Sequence, residues 1–210
     1  MDRQAIVAAV EAWVRQTLEA AGETAHGWLH TSQVRRHALI LARAEGLDPF
    51  PAELAALLHD VGRIQPGPES EHGTRSAAMA APLLAELGAG LTDEEREAVV
   101  FAIRWHNSHR TDTPLLCILR DADMLDGLGA IGIMRAFMSR GYLPPYDPEA
   151  PFETGGDRWP ALYCSDQFLG QMAWYNRLNT ETARQMAQDR IALMRAFIAQ
   201  ARQEITAGEQ

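Results

Sequence analysis

The segment Ala52-Glu-Leu-Ala-Ala-Leu-Leu-His-Asp-Val61 is apolar around almost its whole circumference and ends on a histidine–aspartate pair. A helix with no solvent face belongs in the centre of a helical protein, so this stretch is expected to be a buried central helix. Pro49-Phe50-Pro51 turns the chain into it, and Gly62 with Pro66-Gly67-Pro68 ends it and opens a polar loop. Around it the chain reads as helix after helix. Ile6, Val10, Trp13, Val14, Thr17 and Leu18 form one stripe closed by Gly22, and Val34, Ala38, Leu41 and Ala42 form a second that stops at Gly46. A helix from about 73 to 87 carries Pro82 as an expected kink. Thr92-Asp-Glu-Glu95 is a capping box that starts another through Val99, Ile103 and His106, and Pro114 restarts the helix towards Asp121.

Gly127 to Arg140 is expected to continue as a small-residue helix. Residues 141 to about 178 change character, with four prolines before Phe152, Gly155-Gly156, and Trp159, Tyr163, Trp174 and Tyr175; this stretch is expected to be an irregular flap. From Thr180 to about residue 206 one long amphipathic helix follows. The fold expected is all-α, a helical bundle in one domain over residues 1–210. With 47% apolar and 22% charged residues, the chain has the balance of a soluble globular protein. A net charge of −9 argues against an extended nucleic-acid partner. Cys117 and Cys164 lack metal spacing and form no disulfide framework, the opening residues lack a signal-peptide pattern, and no apolar run is long enough for a spanning helix. A cytoplasmic protein without a membrane partner is expected; nothing in the pattern speaks to oligomeric state.

Imidazoles and carboxylates recur on either side of the central helix: His30 before it, His72 and His106 after it, then Asp121-Ala-Asp123-Met-Leu-Asp126. These are the donors a hard-to-borderline divalent cation takes. His59 and Asp60 point about 100° apart and can share one ion only near the helix end, where they stand, and the negative end of the helix dipole favours a cation there. His30 and Asp123 are candidates to join from other helices; four ligands would leave about two places open. His37 reads as structural or exposed. His26 and His109 read as surface residues, although His26 lies four residues before His30 and could share its face. Asp126 reads as a cap.

Trp28-Leu-His30-Thr-Ser-Gln-Val34, Ala55-Ala-Leu-Leu-His59-Asp60-Val-Gly62 and Asp121-Ala-Asp123-Met-Leu-Asp126-Gly-Leu-Gly-Ala-Ile-Gly132 together resemble the HD superfamily of metal-dependent phosphohydrolases, over roughly residues 24 to 138. The tail from Thr180 resembles the terminal helix of a small bacterial subgroup. The resemblance implies His30, His59, Asp60 and Asp123 as metal ligands. Asp123 stands in the Ala-Asp-x-Leu position; Asp121 is the fallback. Two-metal relatives recruit histidines from the interval that holds His72 and His106, so these would bind a second ion or hydrogen-bond a phosphate oxygen; Asn107-Ser108 stand where some of those relatives carry a further histidine.

The implied reaction is hydrolysis by metal-activated water of a small phosphorylated substrate such as a nucleotide, by phosphomonoester cleavage or pyrophosphate release. Mn²⁺, Fe²⁺, Co²⁺, Ni²⁺, Zn²⁺ and Mg²⁺ all suit mixed imidazole–carboxylate ligation. Asp60, Arg63, His72 and His106 are the catalytic candidates, with Arg63 and Arg75 as phosphate contacts. Arg35, Arg36 and Arg104 read as helix-surface charges. The competing expectations are a di-iron oxygenase on the same scaffold and a non-catalytic nucleotide or metal sensor.

Overall fold

A computed structural model describes residues 2–23, 25–87, 90–153 and 161–207, and among these there is no strand. The helices are α1 (Arg3–Ala21), α2 (Trp28–Ala44), α3 (Pro49–Leu58), α4 (His72–Leu87), α5 (Asp93–Trp105), α6 (Pro114–Asp126), α7 (Gly129–Ser139), α8 (Cys164–Ala173) and α9 (Glu181–Ala207). The chain divides into two compact units, residues 1–123 and 124–210. No helix among the described residues is long and apolar enough to cross a membrane.

In the first unit α3 is the hub, touching α1, α2, α4 and α5. Leu54, Ala55, Ala56 and Leu58 are wholly buried, which is what an all-round apolar helix requires. Its start is set locally: Asp48 accepts a hydrogen bond from the Phe50 amide, and the prolines occupy the first turn, where a missing N–H costs nothing. Gly22, at φ +66°, closes α1 in the left-handed conformation, and its N–H is taken up by helix carbonyls. At α5 the Thr92 hydroxyl accepts from the Glu95 amide while the Glu95 carboxylate accepts from the Thr92 amide. Arg35 is more than a surface charge: it bridges Glu11 on α1 and Glu53 on α3.

The expected polar loop after Gly62 is two short 3₁₀ turns, Val61–Ile64 and Glu69–Glu71. Gly62 faces α4 so closely that a Cβ there would stand 2.2 Å from the Ser76 amide nitrogen, and its own N–H donates to the Ser76 hydroxyl at 2.9 Å. This contact packs the start of α4, and with it His72, against the end of α3.

In the second unit α7 packs on both α8 and α9. Phe137, Phe152, Phe168 and Phe197 form an aromatic cluster there. The expected irregular stretch is corrected here. Residues 141–153 are turns and bends, but Cys164–Ala173 is α8 and Trp174–Arg177 a 3₁₀ turn. The carbonyls of Pro144 and Pro145 accept from the Cys164 and Ser165 amides, and the Asp166 carboxylate accepts from those of Leu162 and Tyr163. The prolines that mark the region as irregular thus supply the acceptors that start its helix. Trp174 fills the space over Gly127, where a Cβ would stand 2.4 Å from the indole. Trp159 lies outside the described residues. Gly129, at φ +78°, ends the α6–α7 break, so α7 starts two residues later than expected.

Candidate metal centre

The sequence places His59 one residue past α3, at its C-cap, and Asp60 next to it. From that point the two side chains enter a buried cluster in the first unit: His59 is 0% and Asp60 3% exposed. His30 comes from the first turn of α2, Asp123 from the last turn of α6, His72 from the first residue of α4 and His106 from the C-cap of α5. All four expected ligands meet. His30 Nε2 lies 3.1 Å from His59 Nε2, 3.5 Å from Asp60 Oδ2 and 3.5 Å from Asp123 Oδ1. His59 Nε2 lies 3.6 Å from Asp60 Oδ2 and 3.9 Å from Asp123 Oδ1. Asp123 is the partly open member, its side chain 33% exposed. Asp121, the fallback, is fully buried and, among the described residues, does not stand in the donor groups that meet here.

A second set sits on the other oxygen of Asp60. His72 Nε2 is 3.3 Å and His106 Nε2 3.5 Å from Asp60 Oδ1, and the two nitrogens are 3.0 Å apart. Asp60 therefore spans both sets, one carboxylate oxygen to each.

The hydrogen-bond chemistry decides whether these residues suit a cation. His59 Nδ1 faces the Ala56 carbonyl at 2.8 Å, His72 Nδ1 that of Glu69 at 2.6 Å and His106 Nδ1 that of Ile103 at 2.7 Å. A carbonyl only accepts, so each Nδ1 carries the hydrogen and each Nε2 presents a bare lone pair. His72 and His106 then turn two lone pairs on each other at 3.0 Å, and neither has a hydrogen for Asp60 Oδ1, which is buried without a hydrogen-bond partner. Arg63 offsets part of this charge from the Oδ2 side, but Asp60 Oδ1 lies buried among the imidazole nitrogens without a hydrogen-bond partner, a place that a cation would balance. The residues fit a divalent cation.

Burial pushes the His59 imidazole down to about 3, against the pull of Asp60 and Asp123, so near neutral pH the ring is uncharged and ready to donate its lone pair. Burial also lowers His72. Asp60 lies well below the ordinary carboxylate range: burial would raise it, but His59 and Arg63 outweigh burial. Asp123 is lowered in the same way by His59 and His30.

Arg63 stands at this centre. Its Nε is 2.7 Å from Asp60 Oδ2, its Nη2 donates to His72 Nε2 at 3.2 Å, and its Nη1 pairs with Glu69. Arg75 is placed differently: its Nε donates to the Gly62 carbonyl and its Nη1 to that of Pro68, bracing the loop between them. His37 is buried on α2, its Nδ1 3.2 Å from the Ala122 carbonyl, and His109 is exposed. Asp126 pairs with Arg135 inside the second unit. His26, read from the sequence as a surface residue, is instead part of the cluster: its Nδ1 lies 2.8 Å from Asp60 Oδ2. Its spacing from His30 pointed to it, but Gly27 caps α2 between them, so the turn rather than a shared helix face brings it in.

A family model described as HD domain matches residues 27–128. The Bacillus subtilis protein YpgQ is 27% identical over 209 residues, covering 93% of this chain and 92% of YpgQ. The crystal structure of YpgQ in complex with ADP superposes with a TM-score of 0.75 at 25% identity, covering 97% of each chain. An HD-superfamily hydrolase from Bacillus thuringiensis gives a TM-score of 0.77 at 29% identity, over 98% of this chain and 99% of that one. The symmetrical bis(5'-nucleosyl)-tetraphosphatase of Bacillus subtilis is 34% identical over 105 residues, which is 44% of this chain and 56% of that enzyme.

Proposed function

The chain belongs to the HD superfamily, and from that premise we propose that it is a divalent-metal-dependent phosphohydrolase acting on a small phosphorylated metabolite, a nucleotide in particular. One observation carries the reading. Imidazole nitrogens and carboxylate oxygens from five helices and helix ends converge in one buried cluster, where Asp60 Oδ1 has no hydrogen-bond partner from the chain. The proposed ligands of the ion are His30, His59, Asp60 and Asp123. His72, His106 and Asp60 Oδ1 form a second donor set that, in this tautomer, suits another cation; a phosphate oxygen would need the imidazoles protonated. Such an ion, when bound, lowers the pKa of a bound water and polarises a phosphoryl oxygen.

The rest of the chemistry falls to the chain. The Nδ1–carbonyl bonds of His59, His72 and His106 hold the rings in one tautomer, so no proton has to leave when a ligand arrives. Arg63, with its guanidinium against Asp60 and His72, receives the charge that builds on phosphoryl oxygens. Arg75 keeps Arg63's loop in place. Asp123, the exposed edge of the cluster, is where substrate approaches. The nucleotide assignment draws on the ADP held by YpgQ and on the nucleotide chemistry named for the tetraphosphatase. The proposal covers both cleavage of a phosphomonoester and pyrophosphate release from a triphosphate.

The test is elemental analysis of the purified protein, then a phosphate- and pyrophosphate-release screen over nucleotides with Mn²⁺, Fe²⁺, Ni²⁺ and Mg²⁺. Turnover with at least one metal is expected, with none from His59→Ala. Full activity of that variant, or an O₂-dependent reaction with no phosphate released, would overturn the reading.

A further inference from the structure

We propose that His26 is a fifth protein ligand of the ion held by His30, His59, Asp60 and Asp123, bound through Nδ1. This rests on the proposed metal site but not on any reaction there. Donor atoms sharing a six-coordinate ion at about 2.1 Å lie ~3.0 Å apart when adjacent and ~4.2 Å apart when opposite. His26 Nδ1 is 2.8 Å from Asp60 Oδ2, and with His30 it completes a group whose ligating atoms all lie within 4.8 Å of one another. His30 and His59 lie in the same range, 3.1 to 3.9 Å, from each other and from the Asp60 and Asp123 carboxylate oxygens.

The rival explanation of the 2.8 Å approach is an ordinary hydrogen bond from His26 to Asp60. The geometry disfavours it: His26 Nδ1 is buried and has no aligned hydrogen-bond partner. Arg63 Nε approaches the same Asp60 oxygen at 2.7 Å and likewise has no aligned partner, so what points to a ligand is the grouping of His26 Nδ1 with the His30 and Asp60 donor atoms rather than the missing hydrogen bond. The ring is held there. The His26 amide donates to Glu23 Oε1 at 2.9 Å, and the imidazole stands edge-on to His30, centroids 5.3 Å apart. His26 differs from the other ligand imidazoles in two ways. It sits on the turn before α2 rather than at a helix end, and its side chain is 30% exposed while those of His30 and His59 are buried. With five protein donors a six-coordinate ion keeps one place, enough for water. Phosphoryl oxygens are then left to Arg63. The four-residue spacing from His30 is the one hint of it in the sequence, and the expected set counts four ligands.

The experiment measures Mn²⁺ affinity of metal-stripped protein by calorimetry or by the EPR signal of free Mn²⁺, without substrate. His26→Ala should weaken binding on the order of tenfold. His26→Asn sets an amide oxygen near the position of Nδ1 and should recover most of the loss, whereas His26→Gln, which mimics Nε2, should not. Circular dichroism and thermal melting of all three establish that they fold. Wild-type affinity in a folded His26→Ala, or equal behaviour of the Asn and Gln variants, would overturn the assignment. Because no turnover is measured, the result stands apart from the hydrolase reading: a tenfold loss in a protein that hydrolyses nothing would keep the ligand and discard the reaction.

Discussion

Asp60→Asn tests the convergence most directly, because both oxygens of Asp60 are engaged and the substitution changes charge with almost no change of shape. Oδ2 faces His26, His30, His59 and Arg63, and Oδ1 faces His72 and His106. An amide there turns one acceptor into an N–H₂ that the bare Nε2 atoms can accept from, so the repulsion that a cation relieves in the wild type is relieved without one. Binding that acts only on the folded state stabilises it by RT ln(1 + [L]/Kd), about 2.7 kcal/mol at a hundredfold excess over Kd. For a chain of this size each kcal/mol moves Tm by roughly 2–4 °C, so saturating Mn²⁺ should raise the wild-type Tm by about 5 to 11 °C. In Asp60→Asn the same Mn²⁺ should shift it by less than about 1 °C. Without metal the variant should also melt lower, since Arg63 loses a buried counter-charge at a cost of about 3 kcal/mol. Differential scanning calorimetry of stripped protein, with and without Mn²⁺, reads both effects. A variant that keeps the full metal-induced shift would refute the argument that Asp60 joins the two donor sets.

Two further outcomes follow from the packing. Arg35→Met should cost about 1–2 kcal/mol near neutral pH by removing the bridge from α2 to Glu11 and Glu53. The Glu11 carboxyl is lowered from 4.5, burial working against it and Arg15 and Arg35 prevailing, so the stability it lends is present above pH 4.5 and lost as pH falls through its folded value. Urea titrations of wild type and variant should therefore converge below about pH 4, and a gap that widens in acid would contradict this. Trp174→Ala, which uncovers the backbone at Gly127, should lower stability by about 2 kcal/mol and leave KM for any substrate unchanged. A raised KM at unaltered Tm would mark the indole as a substrate contact instead of a cover.

The helical character was legible because it rests on local rules: periodic apolar stripes, the Thr92–Glu95 box, Gly22 at a left-handed C-cap, an apolar run at α3 that has to be interior. Each involves residues within a turn or two of one another, and neighbouring residues carry that information whatever the rest of the chain does. The donors were legible as residue types for the same reason, since imidazoles and carboxylates recur at those helix ends. α8 was not, because its first amides are satisfied by the carbonyls of Pro144 and Pro145, some twenty residues earlier, and no local pattern encodes a distant acceptor. Nor was the company His26 keeps. Whether a histidine on a turn faces water or a carboxylate 34 positions away depends on how α2 and α3 pack, and the same packing decides that Asp60 divides its two oxygens between two groups of imidazoles. Helix ends are written into short stretches of chain; the distances between them come from the burial of side chains that the chain brings together from far apart.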